Sequence, residues 1–382
     1  MESLYAAQAI RMVQILGLPR RLSAHRIQRE VEIRVWWTTW MMDTWTSASM
    51  GIPRQLGTEP DYETPMEEMS FDRLDQNPEI SVNYEIEQGG NSPREMGLWT
   101  QMIPLTTIMG EIHILNKKAV STSGHRLQIL EEVKQLSFKL DYWLSCLPES
   151  LHNTVENLER YAKQGLGRTF AALHFGYHYH AQLLYYQFLH RASEPCSRQD
   201  SSGLDDRSGS LLAHKYAARC KKHASELSSL MWITNTTPGL ECLWPINGHL
   251  LVIASSVHLH TILFEEDASL LTAARCMLEH NFMMLQQMQK YWPCLEFSTS
   301  RLNAFHRACQ DSMLESFDMD DWMLNFLQEY AMPVSDRFGG FGTEFGGTPE
   351  SWSPTQFSEL HRELMTAVPT RGGLGDLLNR VS

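Results

Sequence analysis

Apolar residues recur at three- and four-residue intervals along most of this chain, and the alternation of a half-buried strand never persists. Ala6, Ala9, Ile10, Val13 and Leu16 fall on one helical face, and Gly17 with Pro19 beyond it supplies a left-handed stop. A second helix starts after Ser23 and runs to about Met50. Ile33, Trp37, Trp40, Met41 and Trp45 form its apolar stripe, Glu30 and Arg34 stand one turn apart on the wet side, and Gly51 and Pro53 end it. Each tryptophan ring buried there contributes a few kcal/mol, at roughly 25 cal/mol per Å².

Further on, Leu98 to Leu147 reads as two helices, the second carrying Leu127, Leu130, Val133, Leu136, Leu140, Trp143 and Leu147 at helical intervals before Pro148. Helices are also predicted from about Thr169 to Arg191, Leu211 to Met231, Leu240 to Phe264 and Ala268 to Tyr291, with a shorter pair near Ser300 to Ser316 and Asp320 to Tyr330. Two stretches break the pattern: an acidic, Pro- and Asn-containing loop over 57–93 and a Ser/Asp/Arg/Gly linker over 193–210. The fold class expected is all-α, one large multi-helix body over 1–332 followed by a flexible Gly/Pro/Ser-containing tail over 333–382.

The two N-terminal helices also carry an ordered set of residues. Arg11, Met12, Leu16, Gly17 and Leu18 are followed by Glu30, Arg34, Trp36, Trp37 and Asp43, and then by Gly51 and Pro53. The set resembles the signature of the fungal-specific transcription factor domain, the middle homology region of fungal zinc binuclear cluster regulators. In that family a helix of the type A-x-R-M-A-x-x-L-G-L precedes E-x-x-R-R-x-W-W-x-x-x-x-x-D and a G-R-P stop. Here Ile33 and Val35 thin the arginine run, and Ile52 replaces the arginine of the stop. The resemblance covers about fifty residues and implies a structural, non-catalytic role for the matched positions.

Composition narrows the chemistry. The formal net charge of −13 opposes a general polyphosphate-binding surface. The basic density at Arg20, Arg21, His25, Arg26, Arg29 and Arg34 flanks an interhelical turn and reads as a solvated face. No uninterrupted apolar run reaches the ~18 residues of a membrane helix; Leu250 to Phe264 is broken by Ser and His, so no membrane partner is expected. The seven cysteines are scattered, with no C-x-x-C, which excludes among them the closely spaced six-cysteine zinc module that reads DNA in full regulators. The resemblance implies that such a cluster, and its zinc, would lie upstream. The cysteines themselves read as reduced and mostly buried.

Four other constellations bear on chemistry. In HFGYHYH, His174 and His178 sit four apart on one helix with His180 nearby, but no carboxylate accompanies them locally, and packed core histidines account for the run. His258 and His260 are two apart and point to different faces. Asn77, Ser81 and Glu85 satisfy the N-x-x-x-S-x-x-x-E magnesium spacing of class I terpene synthases, with Pro78 inside the motif and no aspartate-rich D-D-x-x-D before it. No phosphate loop or nucleophile elbow occurs, and the glycines of GGFGTEFGG do not follow a strand. Finally, Glu315 to Tyr330 interleaves carboxylates with Phe317, Trp322, Leu324, Phe326 and Leu327. It reads either as an acidic, aromatic activation surface or as a final helix capped at Asp320.

Taken with the resemblance, the expectation is a nuclear transcription regulator with no catalytic residues, no metal and no cofactor of its own. It would control metabolic or secondary-metabolite genes through contacts with the transcription machinery or coregulator proteins, and take a small inducer in an interhelical pocket lined with Trp, Met and Tyr. DNA would be reached only through a zinc-cluster domain or a partner. The alternatives are a cluster-less partner or corepressor and, from another class, a magnesium-dependent terpene synthase.

Overall fold

The computed structural model describes residues 2–21, 23–57, 62–76, 96–121, 126–189, 204–311, 319–329 and 334. Among them are twelve α-helices and no strand, so the all-α class read from the spacing holds. In chain order they are α1 (Glu2–Leu16), α2 (Arg26–Met50), α3 (Glu68–Gln76), α4 (Leu98–Ser121), α5 (Arg126–Cys146), α6 (Val155–Lys163), α7 (Gly167–Tyr185), α8 (Leu204–Thr236), α9 (Pro245–Phe264), α10 (Ala268–Gln289), α11 (Glu296–Asp311) and α12 (Asp321–Gln328). The described residues gather into two compact units: those within 1–118 and 127–173 form the first, and those within 119–126 and 174–382 the second.

In the first unit α1 and α2 form a helical hairpin whose stops are those predicted. Gly17 and Gly51 take positive φ, 73° and 67°. Leu18 N–H reaches Val13 O and Ile52 N–H reaches Ser47 O, six-residue closures that satisfy the last free carbonyls. Ile10, Val13, Ile33, Trp37, Trp40 and Met41 make the core with Ile103 of α4. Two expected core residues face solvent instead: Leu16 and Trp45 are 58% and 47% exposed. At 3.6 residues per turn, Trp45 lies about 80° round α2 from Trp37, away from Trp36, and the buried arc extends toward Trp36 and Asp43. The stripe is therefore wider than the sequence reading drew it, and displaced to one side.

The α4 and α5 helices are joined by Trp143, whose indole donates to Gln101 O at 3.1 Å, and by ion pairs of Lys139 with Glu111 and Lys118 with Glu132. Val133, Leu136, Leu140, Trp143 and Leu147 are buried at the predicted intervals. Two helices were not predicted. One is α6, capped by Thr154; the other is α3, inside the segment 57–93 read as loop. With few apolar positions in nine residues, α3 gives no sustained period.

The second unit is built round α9, which packs on α8, α10 and α11. By length and composition α9 is apolar enough to cross a membrane, yet 94% of its most apolar window is buried inside the protein, so it is a core helix. The linker read over 193–210 ends earlier than expected, since α8 begins at Leu204. Of the six described cysteines, none in a disulfide, Cys220, Cys242 and Cys309 are buried and Cys146, Cys276 and Cys294 exposed, so burial is less general than expected. Asn77, Ser81, Glu85, Phe317, the glycine-rich run and the tail over 333–382, Val334 apart, lie outside the described residues.

Candidate functional site

On α2 the signature residues act as anchors for the chain that follows. Glu30, almost fully buried, accepts from Arg34 Nε at 3.1 Å and from Met66 N–H at 2.9 Å, while Arg34 also donates to Met66 O at 2.9 Å and lies 4.5 Å over the Phe71 ring of α3. The expected exposed Glu30–Arg34 pair is thus a buried clasp. One turn on, Trp37 and Trp40 donate their indole N–H groups to Glu63 O at 2.9 Å and Gly57 O at 3.2 Å, and Trp36 meets Tyr62 edge-on at 5.7 Å. Asp43, 2% exposed, accepts from Gln55 N–H at 3.0 Å and Leu56 N–H at 2.8 Å, with Arg54 Nε 3.9 Å away and its guanidinium 4.5 Å over Trp40.

A segment with no regular partner for its amides and carbonyls is in this way satisfied by side chains of α2. Gly51 supplies the left-handed exit and Pro53 the stop; Arg11 is exposed on α1. At the positions that depart from the family pattern, Ile33 is buried in the core, and Val35 and Ile52 are 41% and 44% exposed.

The second unit holds a histidine cluster that the sequence reading saw only in part. His174, His178 and His180 are all buried on α7. The partner of His178 comes from α8: His178 Nδ1 lies 3.0 Å from His223 Nδ1 and 3.3 Å from Glu226 Oε2. The carboxylate missing from the local run is therefore supplied from another helix, at the H-A-S-E spacing of residues 223–226, where a His and a Glu three apart share a helical face. Tyr177 stands edge-on to both rings and Tyr185 stacks on His223 at 6.1 Å. Burial, followed by the neighbouring His223, His174 and Lys222, holds His178 well below the usual imidazole range, so its ring is neutral.

Elsewhere in this unit polar groups pair off in the core. Ser228 Oγ bonds His258 Nε2 at 3.0 Å, and Asn281 donates to Ser228 and Ser255; Tyr179 OH meets His249 Nε2 at 3.0 Å, which lies 3.2 Å from Leu327 O. His258 and His260 are both buried, and neither lies in the cluster of metal-ligating type. A gap between helices of this unit is lined by Met231, Met284, Met288 and Phe175, so that of the Trp, Met and Tyr expected of an inducer pocket only Met is there, and its void of about 10 Å³ holds one water at most.

Of the residues proposed for an activation surface, the four described ones are packed. Leu324, Phe326 and Leu327 are buried and Trp322 half-buried; Asp320 caps α12 by accepting from Met323 N–H at 2.9 Å. The described part of the segment thus takes the final-helix form.

No curated protein and no solved structure matches the chain. Residues 2–145 match the model of the family described as fungal specific transcription factor domain, a match that spans α1 to α5 and takes in every anchor of α2. Over residues 2–145 the chain is thus similar to the fungal specific transcription factor domain, a family of regulatory domains.

Proposed function

We propose that this chain is the regulatory region of a nuclear, zinc-cluster-type transcription regulator that sets the expression of metabolic or secondary-metabolite genes through contacts with the transcription machinery or coregulators. The observation that carries the reading is the coincidence of the family match over 2–145 with a signature whose buried members, from Glu30 to Asp43, bond the segment that follows α2. The acidic net charge and the absence of closely spaced cysteines in the sequence favour DNA contact through a separate zinc-cluster domain or a partner protein. An inducer would need the Met-lined gap to open, since drug-sized ligands occupy about 300 Å³ or more.

The test is a fusion of the whole chain to an unrelated DNA-binding domain, assayed on a reporter carrying that domain's site. Reporter output different from that of the DNA-binding domain alone, in either direction, is the expected result. Output equal to that control, together with magnesium-dependent consumption of a prenyl diphosphate by the purified chain, would replace the regulator with the terpene synthase alternative. A reporter effect seen only with a coexpressed partner selects the corepressor form of the reading.

A further inference from the structure

The buried histidine pair and its carboxylate have a geometry that neutral side chains fill poorly. His178 Nδ1, His223 Nδ1 and Glu226 Oε2 lie within 4.8 Å of one another. Two of the three separations are 3.0 Å and 3.3 Å. Two ligand atoms bound at about 2.0–2.1 Å to one tetrahedral ion stand about 3.3 Å apart, so the two separations from His178 Nδ1 match two edges of such a site.

The same nitrogen of each ring faces the other, and neutral imidazole carries one proton on its two nitrogens. A single N–H can lie between His178 and His223, and it leaves Glu226 Oε2, also within reach of His178 Nδ1, facing a nitrogen already engaged. A dication accepts all three lone pairs at once. With Nδ1 as ligand, both rings place their protons on Nε2.

We propose that His178, His223 and Glu226 bind a zinc-class divalent cation, with water in the fourth position. Two imidazoles and one carboxylate are a donor set suited to zinc, and softer than magnesium or calcium sites require. The ring walls of Tyr177 and Tyr185 exclude solvent on the buried side. Glu226, 42% exposed, leaves an approach from solvent. Its other oxygen, Oε1, is 3.7 Å from Lys222 Nζ, a 70% exposed cation that can swing away as the metal enters. The ion would tie α7 to α8 across 45 residues of chain, so that metal occupancy stabilises the second unit by mass action.

The experiment uses the full chain, stripped with a chelator and titrated with zinc chloride by calorimetry, and loaded separately with cobalt for its visible spectrum. One ion per chain, a rise in Tm with zinc and a tetrahedral cobalt spectrum without a thiolate charge-transfer band are expected. Glu226→Gln, at a half-exposed position, should weaken zinc more than about tenfold, since even outer-shell partners cost that much, and His223→Gln should do the same. Cys276→Ser is the control, because Cys276 Sγ and His280 Nε2, 3.9 Å apart, are another place for zinc to lodge; it should leave binding unchanged. No binding, binding indifferent to Glu226→Gln, loss of binding in Cys276→Ser, or a thiolate band in the cobalt spectrum would each overturn the site. The cobalt spectrum decides the matter on the unmodified chain if a variant fails to fold.

Discussion

The carboxylate of Asp43 receives the backbone N–H of Leu56, 13 residues downstream, at 2.8 Å, and that of Gln55 at 3.0 Å. This single side chain turns the exit from α2 back against the helix. Asp43→Ala leaves the buried amide of Leu56 and the part-buried amide of Gln55 without their acceptor, at a cost of about 1 to 3 kcal/mol. Asp43→Asn keeps one acceptor oxygen and should cost less. Urea unfolding of the two variants beside the parent gives the ordering, and equal midpoints for Asp43→Ala and the parent would show that the bonds contribute nothing.

The C-terminal ends of α1 and α2 were legible because a glycine at a left-handed cap followed by proline is a local signal. Its tryptophan stripe was legible too, but not which edge of the stripe is buried. Trp36 and Asp43 are covered by a segment with no regular structure of its own, whose position follows from long-range hydrogen bonds. Trp45, chemically as apolar, is left outside. The same limit governs the histidines. The run on α7 was visible, whereas its carboxylate partner lies 48 residues beyond His178 in the sequence and is brought near by the packing of α8. A lone H-x-x-E spacing is too common to have raised it.

Gly97 is needed by a carboxylate. Glu68 Oε2 and Oε1 accept from Leu98 N–H at 3.0 Å and Trp99 N–H at 2.9 Å, capping α4 from α3, where the helix dipole favours negative charge. A Cβ on Gly97 would stand 2.5 Å from Glu68 Oε2 and 2.9 Å from Glu67 Cα. Gly97→Ala should therefore lose about 1 to 3 kcal/mol by crowding. Glu68→Gln keeps the shape but loses the charge and leaves one of the two N–H groups facing an amide NH2, at a cost of about 1 kcal/mol. The pair of values, read from thermal unfolding, is reversed if the charge and not the close approach dominates.

Both units carry histidines that make them acid-sensitive. Burial, then Lys117, lowers His113 to about 4; burial lowers His258 to about 4; and burial, then Lys221, lowers His260 to about 3. In the unfolded chain each titrates near about 6.5. Below that pH the unfolded state binds protons that the folded state refuses, so stability falls with falling pH until the folded values are passed. Each site should remove on the order of 1 to 2 kcal/mol near pH 5 relative to pH 7. His113→Gln should flatten the part of the pH dependence that belongs to its unit. Unfolding midpoints that do not move between pH 7 and pH 5 would mean that these rings are not held neutral.

The last helix separates two roles for one set of residues. Phe326 stacks on Phe305 at 5.1 Å, and the Arg301 guanidinium donates to the carbonyls of Phe326 and Asn325. Burial, more than the opposing charge of Glu329, lowers Arg301 to about 10, still far above neutrality, so it remains a cation bonded to the carbonyl end of α12, where positive charge is favoured. To offer Phe326 and Leu327 to a coactivator, α12 would have to leave Arg301 and bare its carbonyls. Phe326→Ala should cost about 3 to 5 kcal/mol of stability, as aromatic truncation in a packed core does. In the reporter fusion, any loss of output from Phe326→Ala should follow the loss of folded protein. Trp322→Ala, at a half-buried position, should cost less of both. If Phe326→Ala removes reporter activation while leaving the unfolding midpoint in place, the aromatic residues of α12 act on a partner and their packing against Phe305 is secondary.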